Sequence, residues 1–267
     1  MTQRTLRTVA ATRYVTPLRE GGSLPAIIEA GDLGMYVLKF RGAGQGARAL
    51  VAELVAGELA RAVGLAVPEL VFVEVDPDLA RTEPDAEIQA LIRASAGLNI
   101  ALDYLPGAVM FDPVVEQPDA TLASRIVWFD AFVSNVDRTA RNTNMLMWHR
   151  RLHLIDHGAA LYFQHGWDGD PRRSQERFPL IRDHVLLPWA SALAEAAATC
   201  SARLTPDIIH DIIALIPDVW LQPDTADAMD SGFASARREA YLQYLQQRLA
   251  MPQPFLAEAI DARSLLV

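Results

Sequence analysis

Two carboxylates and an amide stand at spacings that suit chemistry on a hydroxyl group beside a metal ion. Asp137 opens the polar run Asp137-Arg138-Thr139-Ala140-Arg141-Asn142, which lies between an apolar stretch and a short β-type segment. Further on, the apolar pair Leu154-Ile155 leads into Asp156-His157-Gly158. One carboxylate of such a set can orient a hydroxyl nucleophile. The Asn oxygen and the second carboxylate are hard ligands of the kind Mg2+ accepts. Taken alone, the run from Asp137 to Asn142 also fits a polar turn with Asx hydrogen bonds, and Asp156 fits a turn that ends a strand.

A third charged residue stands out by composition. All but one of the 24 basic residues are arginine, and the exception is Lys39. Arginine and lysine differ in shape, hydration and hydrogen-bond geometry, so a lone lysine marks either chance or a need for a compact point charge. Upstream of it, Gly21-Gly22-Ser23 is a run of small residues whose backbone can approach a ligand closely. Downstream, Leu50, Val51, Leu54, Val55, Leu59 and Val63 form an apolar stripe at helical spacing, with Glu53 opposite it and Glu58 within it.

The elements that must position these residues follow from local pattern. Ala26–Ala30 and Tyr36–Phe40 read as a hairpin around Gly31-Asp32-Leu33-Gly34, with Lys39 on the face opposite Leu38 and Phe40. The helix over Leu50–Val63 should stop at Gly64, ahead of Pro68. Leu70–Val75 and Leu98–Leu105 read as strands, with a polar connector over Asp76–Glu87. Beyond Pro106-Gly107 the chain becomes mainly helical. Helices are expected over Leu122–Val133, Leu186–Ala198, Pro206–Ile216 and Gly232–Met251, and short strands over Asn144–Trp148 and Leu152–Asp156. The predicted fold class is α+β, a β-rich part over residues 1–105 and a helical part over residues 106–267.

The order of these parts carries a resemblance. A glycine turn, a strand lysine, a helix glutamate, an Asp-x4-Asn loop and a strand-end aspartate follow one another as phosphoryl transfer requires. Asp137–Asn142 with Leu154–Gly158 resembles the catalytic and metal-binding segments of HipA-like kinases and, more distantly, phosphatidylinositol kinases. Gly21–Pro25, Tyr36–Phe40 and the stretch from Ala52-Glu53 to Gly64-Leu65, Val67-Pro68 are similar to the N-lobe of the same family. The likeness covers about residues 15–165 and implies a bilobal, protein-kinase-like fold. By it, Asp137 would be the catalytic base or orient the acceptor hydroxyl, and Asn142 and Asp156 would hold Mg2+ on the phosphates of ATP. Lys39 would contact those phosphates, and Gly21, Gly22 and Ser23 would cover them. The hinge around Ala101–Leu105, with Asp103 and Tyr104, would bind adenine through main-chain atoms. Glu53 matches the family's helix glutamate by spacing, whereas the helical wheel brings out Glu58. The family's usual histidine is Thr139 here. The resemblance further implies a protein Ser/Thr acceptor and a toxin–antitoxin partner.

Composition limits the alternatives. The net charge of −9 speaks against nucleic acid as a direct partner. No apolar run reaches the length of a membrane span, and Met1–Val9 lacks a signal-peptide core, which reads as a cytoplasmic protein. One cysteine, Cys200, excludes an internal disulfide. His149, His153 and His157 are evenly spaced, but on strand–turn–strand they do not share a face as a zinc site would need. Arg150-Arg151, Arg172-Arg173 and Arg237-Arg238 read as solvated surface, with Arg172-Arg173 also placed to meet an anionic substrate. A pseudokinase that binds nucleotide without turnover, a small-molecule kinase and a nucleotidyl transferase remain rival readings of the same parts.

Overall fold

The computed structural model describes residues 5–18, 24–166, 170–222 and 232–266. Five strands close into a barrel: β1 (Thr8–Pro17), β2 (Ala26–Ala30), β3 (Met35–Lys39), β4 (Leu70–Val75) and β5 (Gly97–Asp103). Their order around it is β1-β2-β3-β5-β4, and closure is made by β1 running parallel to β4. Alternation decides which side chains fill the barrel. Leu38 and Phe40 point in, with Ile28, Val71, Val73 and Ala101, and Lys39 points out. β1 has no clean alternation, because its register against β2 shifts twice, between Ala11 and Arg13 and between Tyr14 and Thr16.

The connector expected over Asp76–Glu87 is more ordered than its composition suggests. It holds a 3-10 turn, Pro77–Thr82, capped by the Asp76 carboxylate, and then the start of α2 (Ala86–Ala94). Asp85 caps α2 by accepting from the main chain of Glu87 and Ile88, and Ile88 and Ile92 complete the barrel core.

Helix α1 (Ala47–Ala62) is buried on every face from Leu50 to Ala60, so the stripe read from sequence is too narrow. It packs between the outer face of the barrel, at Leu70, Ile100 and Leu102, and the helical part of the chain. The helical part is built from α3 (Ala120–Val133), α4 (Leu193–Arg203), α5 (Pro206–Ala214), α6 (Asp218–Leu221), α7 (Phe233–Ala250) and α8 (Gln253–Ser264). Its centre is Trp128, stacked on Phe132 with ring centroids 5.4 Å apart and met edge-on by Phe255 of α8. The helix expected from Leu186 begins only at Leu193, because Pro188 confines the earlier stretch to a 3-10 turn. A small sheet of β6 (Val109–Met110), β7 (Met145–Trp148) and β8 (Arg151–Leu154) lies beside α3 in the chain order. The tight β7–β8 turn puts both His149 and Arg150 at positive φ.

The end of α1 is fastened from the far side of the molecule. The Val63 carbonyl accepts from Arg125 of α3 at 2.5 Å and from Arg203 of α4 at 2.9 Å. Gly64 follows at φ +81°, and a Cβ there would lie 2.1 Å from the Arg203 guanidinium. Gly64→Ala is therefore expected to destabilise the fold by about 1–2 kcal/mol from backbone strain, with displacement of Arg203 added to it. A urea midpoint equal to wild type would refute this.

No helix among the described residues is long and apolar enough to cross a membrane.

Candidate active site

Lys39, at the end of β3, projects from the barrel wall toward α1 and the strand-end aspartate. Its Nζ lies 2.8 Å from Asp156 Oδ1. Burial works against the ammonium charge, but Asp156, Glu53 and Asp137 outweigh it and hold the pKa above the ordinary lysine value. Three acids from three separate segments therefore converge on one cation. Asp156 itself sits at φ +53°, a left-handed conformation uncommon for a residue other than glycine.

Of the two helix glutamates, Glu53 faces this centre and Glu58 does not. Glu53 is 1% exposed and accepts from His157 twice, from the main-chain N–H at 2.9 Å and from the ring Nδ1 at 3.3 Å. Burial opposes its charge, yet the His157 bonds and the Lys39 charge bring its pKa below the usual glutamate value. Glu58 instead approaches Arg61 at 3.5 Å and lines a separate recess with Arg7 and Glu69. The wheel could not separate the two, because every face of α1 is buried.

The polar loop brings Asp137 and Asn142 together. Asp137 Oδ2 accepts from Asn142 Nδ2 at 2.8 Å and from Asn144 Nδ2 at 3.2 Å. Oδ1 of Asp137 accepts no hydrogen bond among the described residues. The amide of Asn142, with its nitrogen turned to Asp137, leaves its oxygen for another ligand. No group of three or more His, Cys, Asp or Glu side chains suited to a metal occurs among the described residues. One carboxylate and one amide oxygen fit Mg2+, which commonly takes one or two carboxylates and completes its shell with substrate phosphates and water.

Residues 12–249 match the family model described as HipA-like kinase. The chain belongs to the HipA-like kinase family. Its fold is similar to that of the Helicobacter pylori proinflammatory kinase CtkA, with a TM-score of 0.51 at 14% identity, over 91% of this chain and 95% of that one. The Golgi casein kinase structure gives a TM-score of 0.46 at 10% identity, over 92% of this chain and 74% of that one. No curated protein sequence matches this chain. The family makes the protein a kinase, a phosphotransferase.

Other expected site residues of this HipA-like kinase fall differently. Gly21, Gly22 and Ser23 lie outside the described residues. Asp103 ends β5 and Tyr104 follows it, and their N–H groups are already used, by Glu69 O at 2.8 Å and Met35 O at 3.0 Å. Asp103 pairs in register with the inward-facing Tyr36, so its side chain lies on the face opposite Lys39. The three evenly spaced histidines scatter: His149 and His153 pack on Trp148, and His157 bonds Glu53. Arg172 pairs with Asp170, and Arg173 lines a cavity of about 470 Å³ with Tyr162, His165 and Tyr244.

A second buried centre escaped the sequence reading. Asp130 of α3, wholly buried, accepts from Asn135 at 2.9 Å, from Arg138 at 2.6 Å and from His184 at 2.9 Å. Burial alone would raise its pKa, but the Arg138 guanidinium and the other donors push it far below the carboxylate range. His184 Nδ1 accepts from the Leu186 main chain, so Nε2 carries the proton that meets Asp130. Burial keeps the His184 pKa below its usual value. The same loop meets His184 by an isolated main-chain bridge at Thr139. Arg138 also donates to the Asn144 carbonyl, so one carboxylate fixes the start, middle and end of the Asp137 loop. The signal in the sequence is an aspartate inside Trp128-Phe129-Asp130-Ala131-Phe132, where a charge needs a partner.

Proposed function

We propose that this kinase moves the γ-phosphoryl group of ATP to a hydroxyl group, with a protein Ser or Thr as acceptor. The supporting observation is the convergence of Asp156, Glu53 and Asp137 on Lys39, with Asn142 bonded to Asp137. Nucleotide would lie between a lobe of residues 1–105 and a lobe of residues 106–267. Mg2+, held by Asn142 and Asp156, would supply charge neutralisation on the phosphates. Asp137 Oδ1 would orient the acceptor hydroxyl and take its proton. The hydroxyl oxygen bonds to the γ-phosphorus as the bond to the β–γ bridging oxygen breaks, and ADP leaves. Lys39 would give up Asp156 for the phosphates, and the charge that develops on them is what it stabilises. The protein acceptor is favoured by the family resemblance.

Thermal unfolding with ATP and either Mg2+ or EDTA tests this reading. At about 100-fold excess over Kd a ligand of the native state adds roughly 2.7 kcal/mol, a rise in Tm of roughly 5 °C or more for a chain of this size. The rise should need Mg2+ and vanish in Asp156→Asn. No rise with millimolar Mg·ATP would overturn the proposal. Mass gain on the acceptor then separates phosphoryl from nucleotidyl transfer.

A further inference from the structure

In this structure the glutamate of α1 does not form an ion pair with the lysine; it holds the residue that follows Asp156. Glu53 receives both the main-chain N–H and the ring Nδ1 of His157, while Lys39 is paired with Asp156. Two donors from one residue on one carboxylate fix that residue's rotation as well as its distance. What they fix is the turn at Asp156, whose φ of +53° has a cost that its surroundings must cover.

Packing alone does not account for an imidazole at this position. The His157 ring is wholly buried, meets Phe129 edge-to-face at 6.3 Å, and its Nε2 has no hydrogen-bond partner among the described residues. A buried ring nitrogen without a partner is unfavourable, and a phenyl or isobutyl group would avoid that. The histidine is thus tolerated in spite of Nε2, and what it provides is the Nδ1 bond to Glu53.

We propose that His157 is a positioning residue, whose ring hydrogen bond to Glu53 aims the Asp156 carboxylate at a divalent cation. This rests on the Mg·ATP reading above. The effect of losing it falls on the cation rather than on the fold. Groups that orient a metal ligand typically account for 10–100-fold in metal affinity.

The test uses the full chain as wild type, His157→Phe and His157→Asn. Asparagine places an amide N–H near the position of ring Nδ1, and phenylalanine has no donor. Each protein is titrated with Mg2+ at fixed saturating ATP, with thermal unfolding as the readout, and its Tm in EDTA without nucleotide is recorded. The Mg2+ midpoint should rise about tenfold in His157→Phe. In His157→Asn it should stay within about threefold of wild type. The Tm in EDTA should fall by no more than a few degrees in His157→Phe, the cost of one lost donor to Glu53, which separates positioning from structural loss. If phenylalanine prevents folding, His157→Leu, too small to press on Phe129, serves in its place. An unchanged Mg2+ midpoint in the apolar variant overturns the inference while leaving the nucleotide reading intact. A wild type that shows no Mg2+-dependent stabilisation overturns both.

Discussion

Asp130→Ala should lower the unfolding free energy by about 3–5 kcal/mol, the cost of leaving a buried charge without its partner. Arg138 is fully buried, and its Nη2 has no hydrogen-bond partner among the described residues. Without Asp130 it keeps, among the described residues, the Asn144 carbonyl alone, and Asn135 and His184 lose their acceptor as well. Urea denaturation followed by circular dichroism measures the loss. A fall under about 1 kcal/mol would mean that the charge is not buried in solution, because surface pairs contribute at that level. The pair Asp130→Leu with Arg138→Met should regain part of the stability, since apolar replacements of buried ion pairs are often tolerated. It should not regain activity, because the loop that carries Asp137 would have lost its anchor.

The same centre sets a pH dependence with a definite sign. Both His184 and Asp130 have folded pKa values below their unfolded ones. The unfolded chain therefore binds protons that the folded chain refuses, and stability falls as pH falls. The His184 contribution is complete above about pH 6.5 and declines below it, and that of Asp130 begins to decline near pH 4. Replacing His184 by Gln should flatten the first decline, read as urea midpoints at neutral and mildly acidic pH. An equal slope in wild type and variant would place the titration elsewhere.

Lys39→Arg should reduce phosphoryl transfer by roughly two to three orders of magnitude, the loss typical when one preorganised donor to a developing charge is misplaced. The substitution keeps the charge and changes only shape and hydration. With arginine in all other 23 of the 24 basic positions, this variant asks whether the one lysine is there for its geometry. The Lys39 side chain is 11% exposed and held between α1 and Asp156, which leaves little room for a planar fork. Steady-state kcat at saturating Mg·ATP is the measurement, with the Tm of the free protein as control. Wild-type kcat in Lys39→Arg would reduce the lone lysine to an accident of composition.

The residue types of the candidate site stood out in the sequence, although the residues come from separate segments. Lys39, Glu53, Asp137, Asn142 and Asp156, singled out by type and spacing, are brought together by the structure as neighbours. What could not be read depends on long-range packing. His184 reaches Asp130 across 54 residues, and nothing in its local surroundings announces a partner. His157 looked like one of three spaced histidines, and only the placement of α1 reveals Glu53 behind it. The phasing of α1 suggested one buried stripe, and the structure buries the whole helix. β1 was hidden by two bulges, and α8 by a proline-bounded stretch with a weak apolar face.

The double arginine clasp on Val63 bears on how the chain is made. Arg203 closes that clasp 140 residues after the carbonyl it holds, and Glu53 meets His157 across 104 residues. While the first hundred residues emerge from a ribosome, α1, buried on every face in the finished protein, has only the outer wall of the barrel to pack against. The barrel can close on its own strands, but the helix that carries Glu53 must wait for α5 and α6. A nascent chain of this kinase is thus inert until most of it has been synthesised, because Glu53 has no His157 to hold before then.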